Sequence, residues 1–265
     1  MTRRLAAVFA HPDDDTYGLG GTLALGKGDI DYTVVVATSG EAGLISDPSL
    51  ASRENLAQVR EGEEREALRV AGAPGADVHF LGYPDGGLKD VGRAELVEKI
   101  TDVLRAARPE VVVTFGPEGI TKHDDHITIG AAATEAFHAA GEAGAEASIE
   151  GAFRRLLYVA IPESDIERFW EQLRARGVDL GDTEGPFMPR GVPDRTVTHR
   201  VDCSSVVKRK LEAIRAHRTQ QVELEYLPQD LQPEILGVEC FVQAFPPVTQ
   251  PVERTVGSVF EGFEA

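Results

Sequence analysis

The sequence predicts an α/β fold with a Rossmann-like, mostly parallel sheet flanked by helices, and with a C-terminal strand-helix extension. Along most of the chain, short apolar runs of strand length alternate with longer amphipathic segments of helix length. This alternation is typical of βαβ units, in which helices connect parallel strands. A length of 265 residues is enough for one large α/β domain with a substantial core.

Seven strands are predicted in chain order, at residues 5–9, 32–38, 78–81, 111–115, 156–161, 196–201 and 238–244. Helices are predicted at residues 21–27, 52–71, 93–107, 125–140, 164–175 and 204–217. We expect a single domain over residues 1–265, with a core at about 1–162 that holds the first five strands and a C-terminal extension at about 163–265. Residues 177–189 are too short and too apolar for a disordered linker, and are predicted to form a long loop.

The composition narrows the classes of partner. The 44 acidic and 27 basic residues give a formal charge of −17, which opposes electrostatic binding to nucleic acid or to an anionic membrane. No apolar run approaches the ~20 residues that span a bilayer, so we expect no stable membrane insertion and a cytoplasmic location.

Cys203 and Cys240 lie far apart in apolar surroundings and are expected to be buried thiols. Homo-oligomer formation is left open.

Two polar clusters follow apolar strands. Residues 10–15 (Ala-His-Pro-Asp-Asp-Asp) come directly after the strand at 5–9, and residues 123–126 (His-Asp-Asp-His) follow the strand at 111–115. Ligands of open α/β sheets bind beyond the carboxyl ends of the strands, so both clusters are expected to meet at that edge. Neighbouring carboxylates repel one another unless a positive charge lies between them, and a divalent cation is the leading candidate.

The residue types in these clusters suit a catalytic metal. Catalytic zinc takes three protein ligands from His and Asp or Glu and leaves a position open for water. His11, Asp14 and His126 can supply these ligands, and Asp13 and His123 then remain for proton transfer. One Zn²⁺ per chain is the predicted cofactor, with Fe²⁺ or another divalent ion as the alternative. The chain is therefore interpreted as a metal-dependent hydrolase.

Other interpretations compete with this one. Acidic residues before a helix commonly cap it, and Asp124 or Asp125 could do so here. The run Gly18-Leu19-Gly20-Gly21 is similar to a dinucleotide-binding loop, but the fingerprint's third glycine is Leu23 here and its glycines do not follow the strand directly. His11-Pro12-Asp13 with a distant histidine matches the triad of non-haem iron oxygenases, although such H-x-D triads typically lie on all-β scaffolds.

The chain resembles a known family, the LmbE-like or PIG-L-like zinc-dependent de-N-acetylases. The resemblance covers roughly residues 5–220 and depends mainly on A-H-P-D-D at 10–14 and H-x-D-H at 123–126. It implies a Rossmann-like fold, a zinc ion held by His11, Asp14 and His126, and Asp13 as the general base. The implied reaction is hydrolysis of an amide by zinc-activated water.

The same resemblance implies roles for four more residues. His123 stabilises the oxyanion or protonates the leaving amine, and Asp125 orients His123. Arg60 and Asp85 match positions that contact the sugar substrate in relatives of the family.

Three departures from the family pattern bear on the site, and one is that residues 120–122 (Ile-Thr-Lys) lack the tyrosine that some relatives place beside the site. The family's stretch ends in glutamate where this chain has Asp15, and the rigid proline of the second motif is replaced by Asp124. We nevertheless expect a deacetylase that removes the N-acetyl group from an N-acetylglucosamine-type sugar or glucosaminide, with this small-molecule amino sugar as its partner. The alternative is a non-catalytic metal- or sugar-binding protein of the same fold, which would have no use for Asp13 and His123.

Overall fold

One mixed sheet of eight strands runs through the described part of the chain. The computed structural model describes residues 2–146, 151–179, 181–183, 185, 188–221, 224, 227–248 and 255–263. The strands are β1 (Arg3–Phe9), β2 (Ile30–Thr38), β3 (Asp77–Tyr83), β4 (Val111–Phe115), β5 (Arg155–Ala160), β6 (His199–Asp202), β7 (Val238–Phe245) and β8 (Thr255–Val256).

Helices connect and cover these strands. They are α1 (Asp14–Leu25), α2 (Leu56–Ala71), α3 (Arg93–Ala107), α4 (Gly119–Lys122), α5 (Asp124–Glu146), α6 (Glu163–Ala175), α7 (Val207–Ala216) and α8 (Gln232–Leu236). Short 3₁₀ helices lie at Leu88–Asp90, Asp194–Thr196, Ser204–Val206 and Arg218–Gln220. Within the described ranges, no helix combines the length and the apolar character needed to cross a membrane.

The strand order explains where a ligand site can form. In space the strands lie in the order β3-β2-β1-β4-β5-β7-β6-β8. The pairs from β3 through β5 are all parallel, whereas β7 is antiparallel to both β5 and β6. This arrangement confirms the predicted fold class. Because the chain passes from β1 to β2 on one side and reaches β4 on the other, the carboxyl ends of β1 and β4 flank the crevice typical of this fold.

The central strands form the middle of the hydrophobic core. Ala7, Val8 and Val112 have no exposed surface, and every residue of β4 is buried. Continuous apolar runs of this kind are typical of strands covered on both faces. Two groups of helices provide the cover: α1 packs with α2 and α7, and α3 packs with α5.

The largest difference from the prediction is the start of α1. This helix begins at Asp14 instead of residue 21, so the glycines at 18–21 lie inside it. A Cβ atom on Gly21 would lie 2.5 Å from the Cys203 sulfur, so glycine permits close packing at this position. The carboxylate of Glu239 accepts hydrogen bonds from the amides of Gly21 and Thr22 at 2.7 and 2.9 Å. These glycines therefore serve the packing of α1 and not a nucleotide.

Smaller differences occur in the C-terminal half. Strand β8 and the short helices α4 and α8 were not predicted, and β6 begins at His199 because Asp194–Thr196 forms a 3₁₀ helix. The loop predicted at 177–189 lies partly outside the described residues. Both cysteines are free and buried, as predicted.

Candidate metal centre

After β1, the Asp14 carboxylate folds back onto the backbone amides of the residues that precede it. Asp14 Oδ2 accepts hydrogen bonds from the amides of His11 at 2.8 Å and Ala10 at 3.2 Å. These bonds tie the carboxylate of the first residue of α1 to the end of the strand. The preceding residue, Asp13, has a φ angle of 99°, in the left-handed region that non-glycine residues rarely occupy.

The turn after β4 presents His126 from the first turn of α5. The imidazole stacks on the Phe115 ring, with centroids 4.0 Å apart and planes 6° from parallel. Its Nδ1 lies 3.0 Å from the carbonyl oxygen of Gly119. Because a carbonyl only accepts, Nδ1 carries the proton and Nε2 keeps its lone pair. Burial also lowers the pKa of His126, which favours the neutral ring.

Three predicted ligand side chains converge from these two loops. His11 Nδ1 lies 3.1 Å from His126 Nε2 and 3.7 Å from Asp14 Oδ2. His126 Nε2 lies 3.5 Å from Asp14 Oδ1. Ligand atoms about 2.0–2.1 Å from a tetrahedral zinc ion are roughly 3.3–3.4 Å apart. The three side chains are thus spaced to share one ion.

The charges around His11 favour a cation at this position. His11 Nε2 lies 3.1 Å from Asp85 Oδ1 and 3.4 Å from Asp125 Oδ2, although neither contact is a well-directed hydrogen bond. Burial by itself would lower the pKa of His11, but the carboxylates of Asp125, Asp85 and Asp14 outweigh it and raise the pKa to about 10. A carboxylate behind a metal-ligating imidazole also fixes the ring orientation and makes the other nitrogen a better ligand. Two imidazoles and a carboxylate with this support fit a divalent ion.

Other combinations of ligand-type atoms occur in the same place. His11, His123 and His126 form one group within 4.8 Å, and His11, Asp85 and Asp125 form another. The second group lies on the Nε2 side of His11, opposite the nitrogen that faces His126. This placement favours His11, Asp14 and His126 as the candidate ligand set, with Asp85 and Asp125 behind the His11 ring.

His123 is arranged as a neutral hydrogen-bond donor. Its Nδ1 accepts the backbone N–H of Asp125 at 3.1 Å, so the ring proton of the neutral form lies on Nε2. Burial lowers the pKa of His123, and the positive charge on His11 lowers it further. The contact of Asp125 with His123 thus comes from its backbone amide, whereas its carboxylate accepts from the amides of Gly86 and Leu88 at 2.7 and 3.0 Å.

The three consecutive aspartates have different surroundings. Asp14 faces the histidines, and Asp13 is half-buried beside the site. Asp15 is 2% exposed and accepts hydrogen bonds from the Tyr32 hydroxyl at 3.0 Å and the Thr16 hydroxyl at 3.3 Å. Burial raises the pKa of Asp15 to about 6. The aspartate that replaces the family's glutamate thus keeps a complete set of buried partners.

Arg60 and Asp85, predicted to bind substrate, are engaged with the protein. Arg60 is buried, and its guanidinium donates to the carbonyl oxygens of Gly40 and Leu44. Asp85 Oδ2 accepts the amide of Ala42 at 2.8 Å. Substrate contact by Arg60 and Asp85 stays a prediction, and both hold the loop at residues 40–44 beside the metal centre.

Glu64, which contacts the backbone of the loop after β1, was not among the predicted site residues. This residue is fully buried on α2, and its Oε2 accepts the amide of Asp13 at 3.2 Å. Burial and the negative charge of Asp15 raise the pKa of Glu64 well above its ordinary value. The signal available was its i, i+4 spacing from Arg60, which places both residues on one helix face.

Comparisons with known proteins identify the family. The family model described as PIG-L, GlcNAc-PI de-N-acetylase, matches residues 6–137. The 1D-myo-inositol 2-acetamido-2-deoxy-alpha-D-glucopyranoside deacetylase of Geodermatophilus obscurus is 33% identical over 276 residues, which cover 91% of each chain. This chain belongs to the GlcNAc-PI de-N-acetylase family. The deacetylase of the same name from Kineococcus radiotolerans is 32% identical, over 82% of this chain and 69% of the relative.

Comparison with solved structures shows that the similarity extends to the fold. The conserved protein TT1542 from Thermus thermophilus is 26% identical with a TM-score of 0.62, over 94% of this chain and 98% of its own. N,N'-diacetylchitobiose deacetylase from Pyrococcus horikoshii is 23% identical with a TM-score of 0.58, over 91% and 83%. The hydratase GalB from Pseudomonas putida KT2440 also matches, at 21% identity and a TM-score of 0.62 over 95% and 100%. The fold alone therefore does not select the reaction.

Proposed function

We propose that this chain is a metal-dependent hydrolase that removes the N-acetyl group from an N-acetylglucosamine-type glycoside. One observation carries the proposal: the nitrogens of His11 and His126 and the carboxylate of Asp14 converge within 3.1–3.7 Å of one another. They do so in a member of a de-N-acetylase family whose similar relatives are named as deacetylases.

The donor set suggests the ion. Two imidazole nitrogens and one carboxylate oxygen suit zinc, and Fe²⁺ is the alternative for the same ligands. When bound, the ion acts as a Lewis acid toward the amide carbonyl and lowers the pKa of its water.

Two side chains, one from each loop, transfer or donate protons in the proposed reaction. The Asp13 carboxylate takes the proton of the attacking water, as a general base, and returns it to the leaving nitrogen as the C–N bond breaks. His123 Nε2–H donates to the amide oxygen as negative charge develops there, and this proton is on Nε2 because Nδ1 accepts the Asp125 amide. Asp85 and Asp125 hold the ring of His11 from behind. The products are acetate and the free amino sugar.

The names of the relatives and the charge of the chain support an uncharged glucosaminide as the substrate. An N-acetylated inositol glucosaminide is the first substrate to test, because similar relatives are named for it. Such a glycoside is uncharged, so the formal charge of −17 does not repel it. We place the reaction in the cytoplasm and treat residues 1–265 as one domain, since β6, β7 and β8 continue the same sheet.

The test is acetate release by the metal-free and metal-loaded chain. The purified protein is treated with chelator, reloaded with one equivalent of Zn²⁺ or Fe²⁺, and assayed with the inositol glucosaminide and with N,N'-diacetylchitobiose. We expect acetate release only after loading. His126→Ala should lose both metal and activity, whereas His138→Ala should keep both, because His138 is exposed on the same helix, away from the ligand set.

Two results would contradict the proposal. Equal metal content in wild type and His126→Ala would remove His126 from the ligand set. Sugar binding by the loaded protein without acetate release from any N-acetylglucosaminide would favour the non-catalytic binding protein.

A further inference from the structure

One peptide group next to the metal centre is held at both ends by distant side chains. The carbonyl of Pro12 and the amide of Asp13 belong to the same planar peptide unit. Gln220 Nε2 donates to the Pro12 oxygen at 2.9 Å, and the Asp13 N–H donates to Glu64 Oε2 at 3.2 Å. Gln220 is 208 positions away from Pro12 along the chain.

This peptide plane sets the unusual backbone of Asp13. Rotating the plane changes the φ angle of Asp13, and that angle is 99°. A left-handed φ in an aspartate is strained and persists only where surrounding contacts impose it. The hydrogen bonds from Gln220 and to Glu64 fix the plane from opposite sides. Losing either one would let the plane rotate toward the ordinary φ region and change the direction of the Asp13 side chain.

The segment that carries Gln220 is itself anchored on α2. The amide and hydroxyl of Thr219 donate to the Glu63 carboxylate at 2.9 and 2.7 Å. Ser46 also donates to the Thr219 carbonyl through its backbone amide, at 3.0 Å. Glu63 and Glu64 are neighbours on one helix, so α2 locates Gln220 through one residue and holds the Asp13 amide through the next.

We propose that Gln220 is a positioning residue that acts with Glu64 to aim the Asp13 carboxylate at the reacting water. This inference rests on the proposed function of Asp13 as the general base. It assigns a role to Gln220 in the segment 217–220, which supplies no ligand to the candidate metal site.

The test replaces the Gln220 amide by a group of similar size that cannot donate. Gln220→Met should lower kcat for acetate release by about 10-fold, because small misplacements of a catalytic group cost one to two orders of magnitude. KM and metal content should stay at wild-type values. Gln220→Glu has the shape of glutamine and also lacks the donor, so it repeats the measurement if the methionine variant folds poorly. Gln221→Met is the matched control, because the Gln221 amide donates to the carbonyls of Ile214 and His217 and not to Pro12.

A double-mutant cycle and an exchange measurement separate positioning from general structural damage. In an Asp13→Asn background, Gln220→Met should cause no further fall in kcat, since the group it positions is already inactive. Amide exchange of Asp13, followed by NMR, should be at least about 10-fold faster in Gln220→Met than in wild type and unchanged in Gln221→Met.

Each outcome decides the proposal. Wild-type kcat in both Gln220 variants, or the same fold loss with Asp13 and with Asn at position 13, would overturn it. If wild type releases no acetate, the proposed function fails, and the exchange of the Asp13 amide then tests only whether Gln220 holds the peptide between Pro12 and Asp13. Unchanged exchange in Gln220→Met would overturn that part of the proposal as well.

Discussion

The two loops of the metal centre are supported in different ways. The loop after β1 rests on a buried polar network in which Tyr32 and Thr16 donate to Asp15, and Glu64 accepts the amide of Asp13. The turn after β4 relies on near neighbours, such as the Gly119 carbonyl seven residues before His126. The first loop is therefore held from β2 and α2, whereas the second combines near neighbours with the buried Asp125 carboxylate, which accepts the amides of Gly86 and Leu88.

Asp15 in the first loop and Asp124 in the second also differ in burial. Asp15 is buried with its partners, but Asp124 in the second loop pairs with Lys89 where both side chains are more than half exposed. Breaking buried hydrogen bonds leaves unsatisfied groups and is costly, while exposed ion pairs contribute little. Substitution of Asp15 should accordingly cost more stability than substitution of Asp124.

The largest effect is expected within the first loop. Asp13→Asn should keep the metal and lose about 10²- to 10⁴-fold in kcat, the range for removal of a general base. Asp14→Asn should instead weaken metal binding, because a neutral amide is a poorer ligand than a carboxylate. Metal titration and kinetics at saturating metal check both variants. A depleted Asp13→Asn beside a fully loaded Asp14→Asn would reverse the two roles.

The matching substitution in the second loop is His123→Ala. It should retain the metal and lower kcat by about 10²-fold, the usual cost of removing one donor to a developing oxyanion. Steady-state kinetics with the reloaded enzyme measure this loss. An unchanged kcat would show that His123 supports the turn without taking part in the reaction.

A pair of stability measurements compares the two loops directly. Asp15→Ala should lower the free energy of unfolding by about 1–3 kcal/mol, because the buried Tyr32 hydroxyl loses its acceptor. Asp124→Ala should leave the urea midpoint close to that of wild type, since its ion pair is exposed. Both proteins are compared in the metal-free state. Equal losses in the two variants would show that burial does not distinguish the loops.

The smallest expected effect is the acid sensitivity of the network under the first loop. Burial lowers the pKa of His217 to about 3, with a further contribution from the charge of Arg60, and its Nε2 lies 3.1 Å from the Thr16 hydroxyl and 3.9 Å from Glu64. Below pH 6.5 the unfolded chain binds a proton that the folded chain does not, so folding stability falls as the pH falls.

For this histidine the loss amounts to about 1 kcal/mol between pH 7 and 5.5. The urea stability of His217→Gln should fall by that much less than wild type over the same interval. His138→Gln, changed at an exposed position on α5, should follow the wild-type curve. Parallel curves for all three proteins would argue against a buried neutral His217.

The elements and the meeting of the two clusters could be predicted because they depend on local patterns. The helix predicted at 93–107 and the strand at 111–115 have the same ends in the structure. The edge rule of α/β sheets then brought His11 and His126 together. The contacts of Glu64 and Gln220 could not be predicted in this way, because each joins a side chain to the backbone of a segment at least 51 positions away. Contacts between residues this far apart in sequence produce no periodic pattern in it.

The role of Asp125 shows a second limit. A carboxylate beside a histidine suggests that the carboxylate orients it, but the contact to His123 comes from the backbone amide. Backbone groups are the same in every residue, so their contacts leave no mark in the sequence. The same holds for the Gly119 carbonyl that selects the tautomer of His126.

The loop at residues 40–44 is held through its main chain, and this matters for engineering the substrate range. Arg53 donates to the carbonyls of Glu41 and Gly43, and Arg60 donates to the carbonyls at both ends of the loop. Gly40 and Gly43 are fixed positions, because a Cβ there would lie 2.6 and 2.4 Å, respectively, from the Arg60 guanidinium. The side chain of Leu44, by contrast, is 70% exposed. Randomising this position changes the rim of the crevice while the hydrogen bonds that shape the loop stay available to every replacement.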